Sequence, residues 1–257
     1  MSEGRVRYSK AEGVATVVFD RPDARNAMTW AMYAELATAC ESISADDEVR
    51  VAVFRGAGGA FVAGTDIQQF TAFAGGEDGI AYEKRINAAI SQVENLAKPV
   101  IAVVEGACVG GGIMIAAACD FRIATAAARF GVPIARTLGN CISVENTARL
   151  VAQFGAGRTK RMLMLAELIS AEEAAGCGFV DILAAPAEIE ARLAEMCRRL
   201  LGHAPLTMRA AKEAIRRVTM ESLPKGEDLV RLCYGSADFK EGVDAFLAKR
   251  SPEWRGR

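Results

Sequence analysis

Residues 99–120 read PVIAVVEGACVGGGIMIAAACD. The run Val100–Val104 is continuously apolar, as a strand buried on both faces requires. Pro99 marks its entry, because proline fixes φ and cannot donate to a ladder. Gly110, Gly111 and Gly112 follow, and then a small-residue helix over Ile113–Cys119. The order is strand, glycine turn, helix. Backbone N–H groups at such a turn open a helix without a partner inside it, so they favour negative charge. If that charge develops during a reaction, the turn is half of an oxyanion hole. Alternatively, the glycines let two layers pack closely and bind nothing. The spacing G-x-G-x-x-G is absent, and so is a Gly-Lys-Ser/Thr ending, which excludes the dinucleotide and NTP loops.

Outward from this stretch, Val6–Tyr8 and Val14–Asp20 read as a hairpin around Glu12-Gly13. Thr29 N-caps a helix running to Ser44, and Val49–Arg55 is a strand ending at Gly56. Ala60–Ala63 is a short extended piece, and Ile80–Leu96 is an amphipathic helix behind the break at Gly75–Gly79. Phe121–Ala124 is a short strand, 129–140 is a loop, and Ser143–Phe154 is a helix. Ser170 with Glu173 forms a capping box for a short helix ending near Gly176, and Val180–Leu183 is strand-like. Beyond that the pattern is helical only, over Ala187–Gly202, Leu206–Met220, Lys225–Cys233 and Phe239–Lys249. Alternating strands and helices followed by helices predict an α/β core with a helical C-terminal layer.

The 257 residues carry 31 Lys plus Arg against 32 Asp plus Glu, a net charge of -1, so no basic excess points to nucleic acid. The polar N-terminus MSEGRVRYSK lacks the apolar region of a secretory signal, and no apolar run reaches the ~18–20 residues of a membrane span. The seven cysteines (Cys40, Cys108, Cys119, Cys141, Cys177, Cys197 and Cys233) are odd in number and include no C-x-x-C pair. That argues against a disulfide framework or a zinc site and for a reducing, cytoplasmic location. The single histidine, His203, has no companion ligands and reads as a helix-end or surface residue, so no metal is expected.

Five pieces stand in one order: DRPDARNAM (20–28), AFVAGTDI (60–67), KPVIAVVEGACVGGG (98–112), ARFGVPIARTLGN (128–140) and ADFKEGVDAFLAKR (237–250). Together they resemble the crotonase superfamily, the enoyl-CoA hydratase/isomerase family, nearly end to end. The resemblance implies a ββα-superhelix (spiral) core over residues 1–185. It implies a C-terminal helical trimerisation region over 186–257, in a homotrimer or dimer of trimers. The ligand it implies is an acyl-CoA thioester, with no cofactor beyond the coenzyme A of that substrate. By motif match the two N–H donors for a thioester enolate belong to Ala63 and Gly111. Ala24, Arg25 and Ala27 match the loop along the CoA nucleotide, where Arg25 meets a phosphate or stays solvated. Asp66 and Ile67 match the acyl-pantetheine channel, Gly64, Thr65, Val109 and Gly112 are further substrate- or CoA-binding candidates, and Asp66 also suits an N-cap. Phe246 and Lys249 match C-terminal positions that approach the CoA.

The sequence departs from the hydratase pattern at two places. Glutamates are expected two residues after the glycine triplet and directly after FGxP; Met114 and Ile134 stand there. Neither side chain transfers a proton, and hydration needs both a base and an acid. With Pro133, these residues read as an apolar wall for the acyl chain. The following segment, 135–150, is one residue longer than the hydratase pattern and offers Arg136, Thr137, Asn140, Cys141 and Glu145. Gly139-Asn140-Cys141 resembles the Gly-Asn-Asp turn of the 4-chlorobenzoyl-CoA dehalogenases, whose aspartate is the nucleophile. Cys141 is then a candidate nucleophile or a small buried hydrophobe. Glu145 is a displaced base or a first-turn acid on its helix. Asn140 and Arg136 are donors to a polar acyl group or loop-fixing residues. Three functions follow: enolate chemistry as isomerase, lyase or hydrolase; acyl-CoA binding without turnover; and hydration through Glu145.

Overall fold

The computed structural model describes residues 3–70, 76–220, 237, 241, 248, 250 and 253–257. The helix expected over Lys225–Cys233 lies outside the described residues, as does that over Phe239–Lys249 apart from Glu241 and Ala248; Phe246 and Lys249 are outside them.

The chain opens with the expected hairpin, β1 (Arg5–Ala11) and β2 (Val14–Asp20), turned at Glu12 (φ 49) and Gly13 (φ 78). Two central residues with positive φ match the right-handed twist of paired strands. The helix α1 (Trp30–Ala45) is capped by Thr29, whose Oγ1 accepts the Met32 N–H at 3.2 Å. β3 (Val51–Gly56) is followed by α2 (Gly76–Glu94), and β4 (Val100–Val104) by β5 (Ala107–Val109) and α3 (Gly111–Ala118). Then come β6 (Phe121–Ala124), β7 (Arg129–Gly131), α4 (Ile134–Thr137), α5 (Val144–Met164), β8 (Ile169–Ser170), α6 (Ala171–Gly176) and β9 (Ile182–Leu183). The helices α7 (Ile189–Leu201) and α8 (Pro205–Met220) complete the described elements.

Six strands form one sheet in the order β1-β2-β3-β4-β6-β9, parallel from β2 onward. Side chains alternate across a strand, so β3 and β4 bury both faces. Ala52, Phe54, Val100, Ala102 and Val104 join the main core with α1, α2 and α3. Val51, Val53, Ile101 and Val103 face the other way, under Ile189, Cys197 and Leu200 of α7.

Three short strands escaped the sequence reading. β5 and β7 pair in parallel, and β7 pairs antiparallel with β8, giving a second, three-stranded sheet. Three residues show no periodicity, so 129–140 read as loop although it holds β7 and α4. The bridge between Val62 and Cys108 extends this second layer. Three times in succession, then, a strand of the large sheet leads through the second layer to a helix. The helix expected over Ser143–Phe154 ends where the backbone leaves helical geometry at Gly155 (φ 74, ψ 160), and a second helical stretch carries α5 on to Met164. Ser170 caps α6 as expected, accepting the Glu173 N–H at 3.2 Å; the Glu173 carboxylate engages Arg158 at 3.1 Å and Arg161 at 2.6 Å.

Among the described residues no helix is long and apolar enough to cross a membrane. No group of His, Cys, Asp and Glu there is arranged for a metal. His203 is exposed just beyond α7.

Candidate active site

The glycine triplet divides its labour. Gly110 sits at φ 54, ψ −122, a backbone conformation closed to residues with a side chain, and its N–H donates to Gly131 O at 2.9 Å. A Cβ on Gly112 would stand 2.1 Å from Val62 O, so only glycine lets the loop after β3 lie against α3. Gly111 is the first residue of α3, and its N–H has no acceptor within the helix.

The far end of α3 carries a buried cation. Arg122 is 4% exposed and donates to Ala116 O (3.1 Å), Cys119 O (2.8 Å), Asp120 O (3.1 Å) and Phe179 O. Burial pulls its pKa down, opposed by Asp181 at 3.7 Å. A cation at the C-terminal carbonyls complements the dipole whose positive end is at Gly111.

Two loops face this end. Asn26 (φ 59, fully buried) accepts the Arg21 N–H at 2.8 Å and donates to Ala57 O and Ala60 O, both at 2.8 Å. The buried Arg21 pairs with Asp66 at 2.8 Å and donates to Ala27 O at 3.0 Å. Burial works against ionisation of Asp66, but the Gln68 N–H at 3.0 Å and Arg21 more than offset it, so its pKa is lowered. Asp66 thus serves the local turn, as its N-cap reading anticipated. Asn26 and Arg21, which knit the loops together, were missed; a polar residue in a loop does not announce that it is buried.

Ala63 needs correction. Its N–H donates to Arg25 O at 3.0 Å and is therefore already committed. The Met28–Thr65 bridge explains why: Met28 N–H goes to Gly64 O at 2.8 Å and Asp66 N–H to Met28 O at 2.9 Å. Successive N–H groups of an extended chain point to opposite sides, so that of Thr65 points away from the 21–28 loop. Gly64, at φ 99, breaks the alternation and turns Ala63 inward. The Gly64–Thr65 backbone lies alongside the glycine turn: a Cβ on Gly110 would be 3.3 Å from Gly64 Cα, and one on Gly111 would be 3.6 Å from Thr65 Oγ1. Neither the Thr65 nor the Gly111 N–H has an acceptor among the described residues. The structure therefore brings together Gly64, Thr65, Val109, Gly111 and Gly112.

The remaining candidates are dispersed. Met114 is 2% exposed within the main core, and the half-buried Ile134 packs against it. Pro133 is half-buried, Ala24 and Ala27 likewise, while Arg25 (φ 49) and Ile67 are exposed. Asn140 and Cys141 are exposed on the segment before α5, which removes the reading of Cys141 as a small buried hydrophobe. Arg136 and Thr137 are exposed too. Glu145 is exposed in the first turn of α5 and accepts from Asn87 Nδ2 at 3.3 Å. Its own backbone N–H, with Ser143 and Asn87, lowers its pKa, which weakens it as a base.

Two features gave no sequence signal. Tyr33 and Tyr82 direct their hydroxyls to Thr65 Oγ1, at 2.8 and 3.0 Å. The nearest clue was a tyrosine on the apolar face of α1, where Tyr33 is buried beside Leu36 and Cys40 and its hydroxyl must find a partner. Glu83 on α2 is half-buried and accepts the Ser143 N–H at 2.8 Å. Burial pushes its pKa up from 4.5 despite that bond. Folding thus favours the protonated acid, so the contribution of Glu83 is greatest below pH 4.5 and is lost as pH rises through the folded value. Glu83→Gln, compared with the parent by urea unfolding from pH 4 to pH 8, is expected to gain in relative stability as pH rises. A constant difference across that range refutes this account.

The sequence profile of the family described as Enoyl-CoA hydratase/isomerase matches residues 9–257. The chain is 33% identical to a crotonyl-CoA hydratase of Syntrophomonas wolfei subsp. wolfei, over 97% of each chain. It is 30% identical to the 2,3-dehydroadipyl-CoA hydratase of Escherichia coli, covering 97% of this chain and 98% of that one. A crystal structure of an enoyl-CoA hydratase/carnithine racemase from Magnetospirillum magneticum superimposes with a TM-score of 0.90 at 33% identity, over 98% of this chain and 96% of the other. The mixed α/β fold, the glycine turn and these matches along nearly the whole length lead to one conclusion: this chain belongs to the enoyl-CoA hydratase/isomerase family, whose enzymes act on acyl-CoA thioesters.

Proposed function

We propose that the protein converts an acyl-CoA through a thioester enolate held by the backbone N–H groups of Gly111 and Thr65. One observation carries this reading: two adjacent N–H donors, one opening a helix, have no acceptor among the described residues. Preorganised donors of that kind stabilise charge that develops on an oxygen, with about 3–4 kcal/mol lost when one is removed. Met114 and Ile134 at the glutamate positions favour isomerase-, lyase- or hydrolase-type chemistry over hydration, since neither moves a proton.

The loop of Ala24, Arg25 and Ala27 would receive the CoA nucleotide, Asp66 and Ile67 would flank the pantetheine, and Met114, Pro133 and Ile134 would wall the acyl group. Phe246 and Lys249 would approach the CoA from the C-terminal region. The succession of strand, second-layer strand and helix supports a ββα-superhelix over residues 1–185, and we assign 186–257 to assembly of a homotrimer or dimer of trimers. The free thiols among the described residues suit a reducing, cytoplasmic setting.

Hydration draws support from the relatives named hydratases, and it would need a displaced carboxylate such as Glu145. Mass spectrometry of short 2-enoyl- and 3-enoyl-CoA thioesters incubated with the protein in deuterated water separates the readings. Double-bond movement or deuterium uptake without added water is the expected result. Gain of water would restore hydration, and no change in any thioester would favour a binder without turnover.

A further inference from the structure

Beside Gly111 runs a chain of three hydroxyls that the oxyanion reading leaves unused. Tyr33 Oη lies 2.8 Å from Thr65 Oγ1, which lies 3.0 Å from Tyr82 Oη. They come from α1, the loop after β3 and α2. Tyr33 is 2% exposed, whereas Tyr82 is only half-buried, so the chain leads from the interior towards solvent.

A buried phenol needs one partner, and convergence of two on a single threonine exceeds that need. A hydroxyl has one proton to give and two lone pairs to fill. When both phenols donate to Thr65, its lone pairs are occupied and its own proton points to a third direction. The chain lies against Gly111: Tyr33 Oη stands 2.6 Å, and Thr65 Oγ1 3.6 Å, from where a Cβ on Gly111 would be. The hydroxyls thus occupy the side-chain position of the residue whose N–H opens α3. Burial raises the pKa of both phenols, Tyr82 to about 12, so each holds a proton to give at neutral pH.

We propose that this chain delivers a proton to the α-carbon of the thioester enolate, entering at Tyr82 and handed over by Thr65, with Tyr33 as a positioning residue. The proposal rests on the reading of Gly111 and Thr65 as the enolate's donors. In the step, the enolate electron pair forms a C–H bond with the proton of Thr65 Oγ1 as the thioester C=O re-forms. Thr65 takes the proton of Tyr82, and the tyrosinate takes one from water, leaving hydroxide. Nothing is oxidised or reduced. A substrate class that suits this donor is an acyl thioester whose enolate arises by breaking another bond at the α-carbon; run in reverse, the same path returns an α-proton to solvent.

Acetoacetyl-CoA in deuterated buffer tests the step, because its enolate absorbs in the near ultraviolet and its α-hydrogens exchange in both directions along one path. Thr65→Val and Tyr82→Phe should keep the affinity and the enolate band while deuterium entry at the α-carbon slows at least about 100-fold. Thr65→Ser, which keeps the hydroxyl, should restore exchange to within a few-fold, and Tyr33→Phe should slow it less than Tyr82→Phe. A band with unchanged exchange in Thr65→Val, or parent exchange no faster than that of free acetoacetyl-CoA, overturns the relay alone. Absence of the band in the parent protein overturns the oxyanion reading and the relay with it.

Discussion

Replacing Gly111 by proline is expected to lower acyl-CoA turnover about 10²–10³-fold relative to the Gly111→Ala variant. The comparison matters because both substitutions introduce the same Cβ, which would stand 2.6 Å from Tyr33 Oη. Both therefore push the tyrosine; only proline also removes the N–H. Proline suits the first position of a helix, where the missing N–H had no partner anyway. It also disfavours a helical conformation in the residue before it, and Gly110 at φ 54, ψ −122 is not helical. The fold should survive, as thermal unfolding can verify for each variant. Equal turnover in the two variants would remove Gly111 from the oxyanion site.

The second large effect concerns stability. Arg122→Met keeps an apolar stem but leaves the carbonyls of Ala116, Cys119, Asp120 and Phe179 without their donor. Each orphaned buried acceptor costs about 1–3 kcal/mol, and removing one partner of a buried ionic cluster costs about 3–5 kcal/mol. We expect a loss of about 3–5 kcal/mol in urea unfolding and a fall in Tm of about 10 °C. Arg122→Lys should fall between, because an ammonium has three donors and the cluster asks for more. A loss below about 1 kcal/mol for Arg122→Met would mean that water replaces the guanidinium.

The α/β alternation and its central strand were legible because Val100–Val104 is apolar on both faces, a pattern that only a covered sheet satisfies. The caps Thr29 and Ser170 were legible because a cap is a local bond between near neighbours. β5 and β7 were not, being three residues each and held by pairing with one another. The choice between Ala63 and Thr65 was also hidden. It depends on which way an N–H points, and Gly64's φ of 99 together with the bridge to Met28 decides that. The hydroxyls of Tyr33, Thr65 and Tyr82 meet only because α1 and α2 pack together beside one loop, which no local pattern records.

Met114 and Ile134 have a consequence for the strength of the local field. A pair of carboxylates would bring water and negative charge to the end of α3, and both screen its partial positive charge. A thioether buried in the core and an isoleucine half-buried against that core do neither. Two unit charges 4 Å apart interact by about 1 kcal/mol in water but by about 4 kcal/mol at an effective dielectric near 20. The side chains that cannot move a proton thus make the neighbouring N–H dipoles more effective, by keeping the medium around them less polarisable.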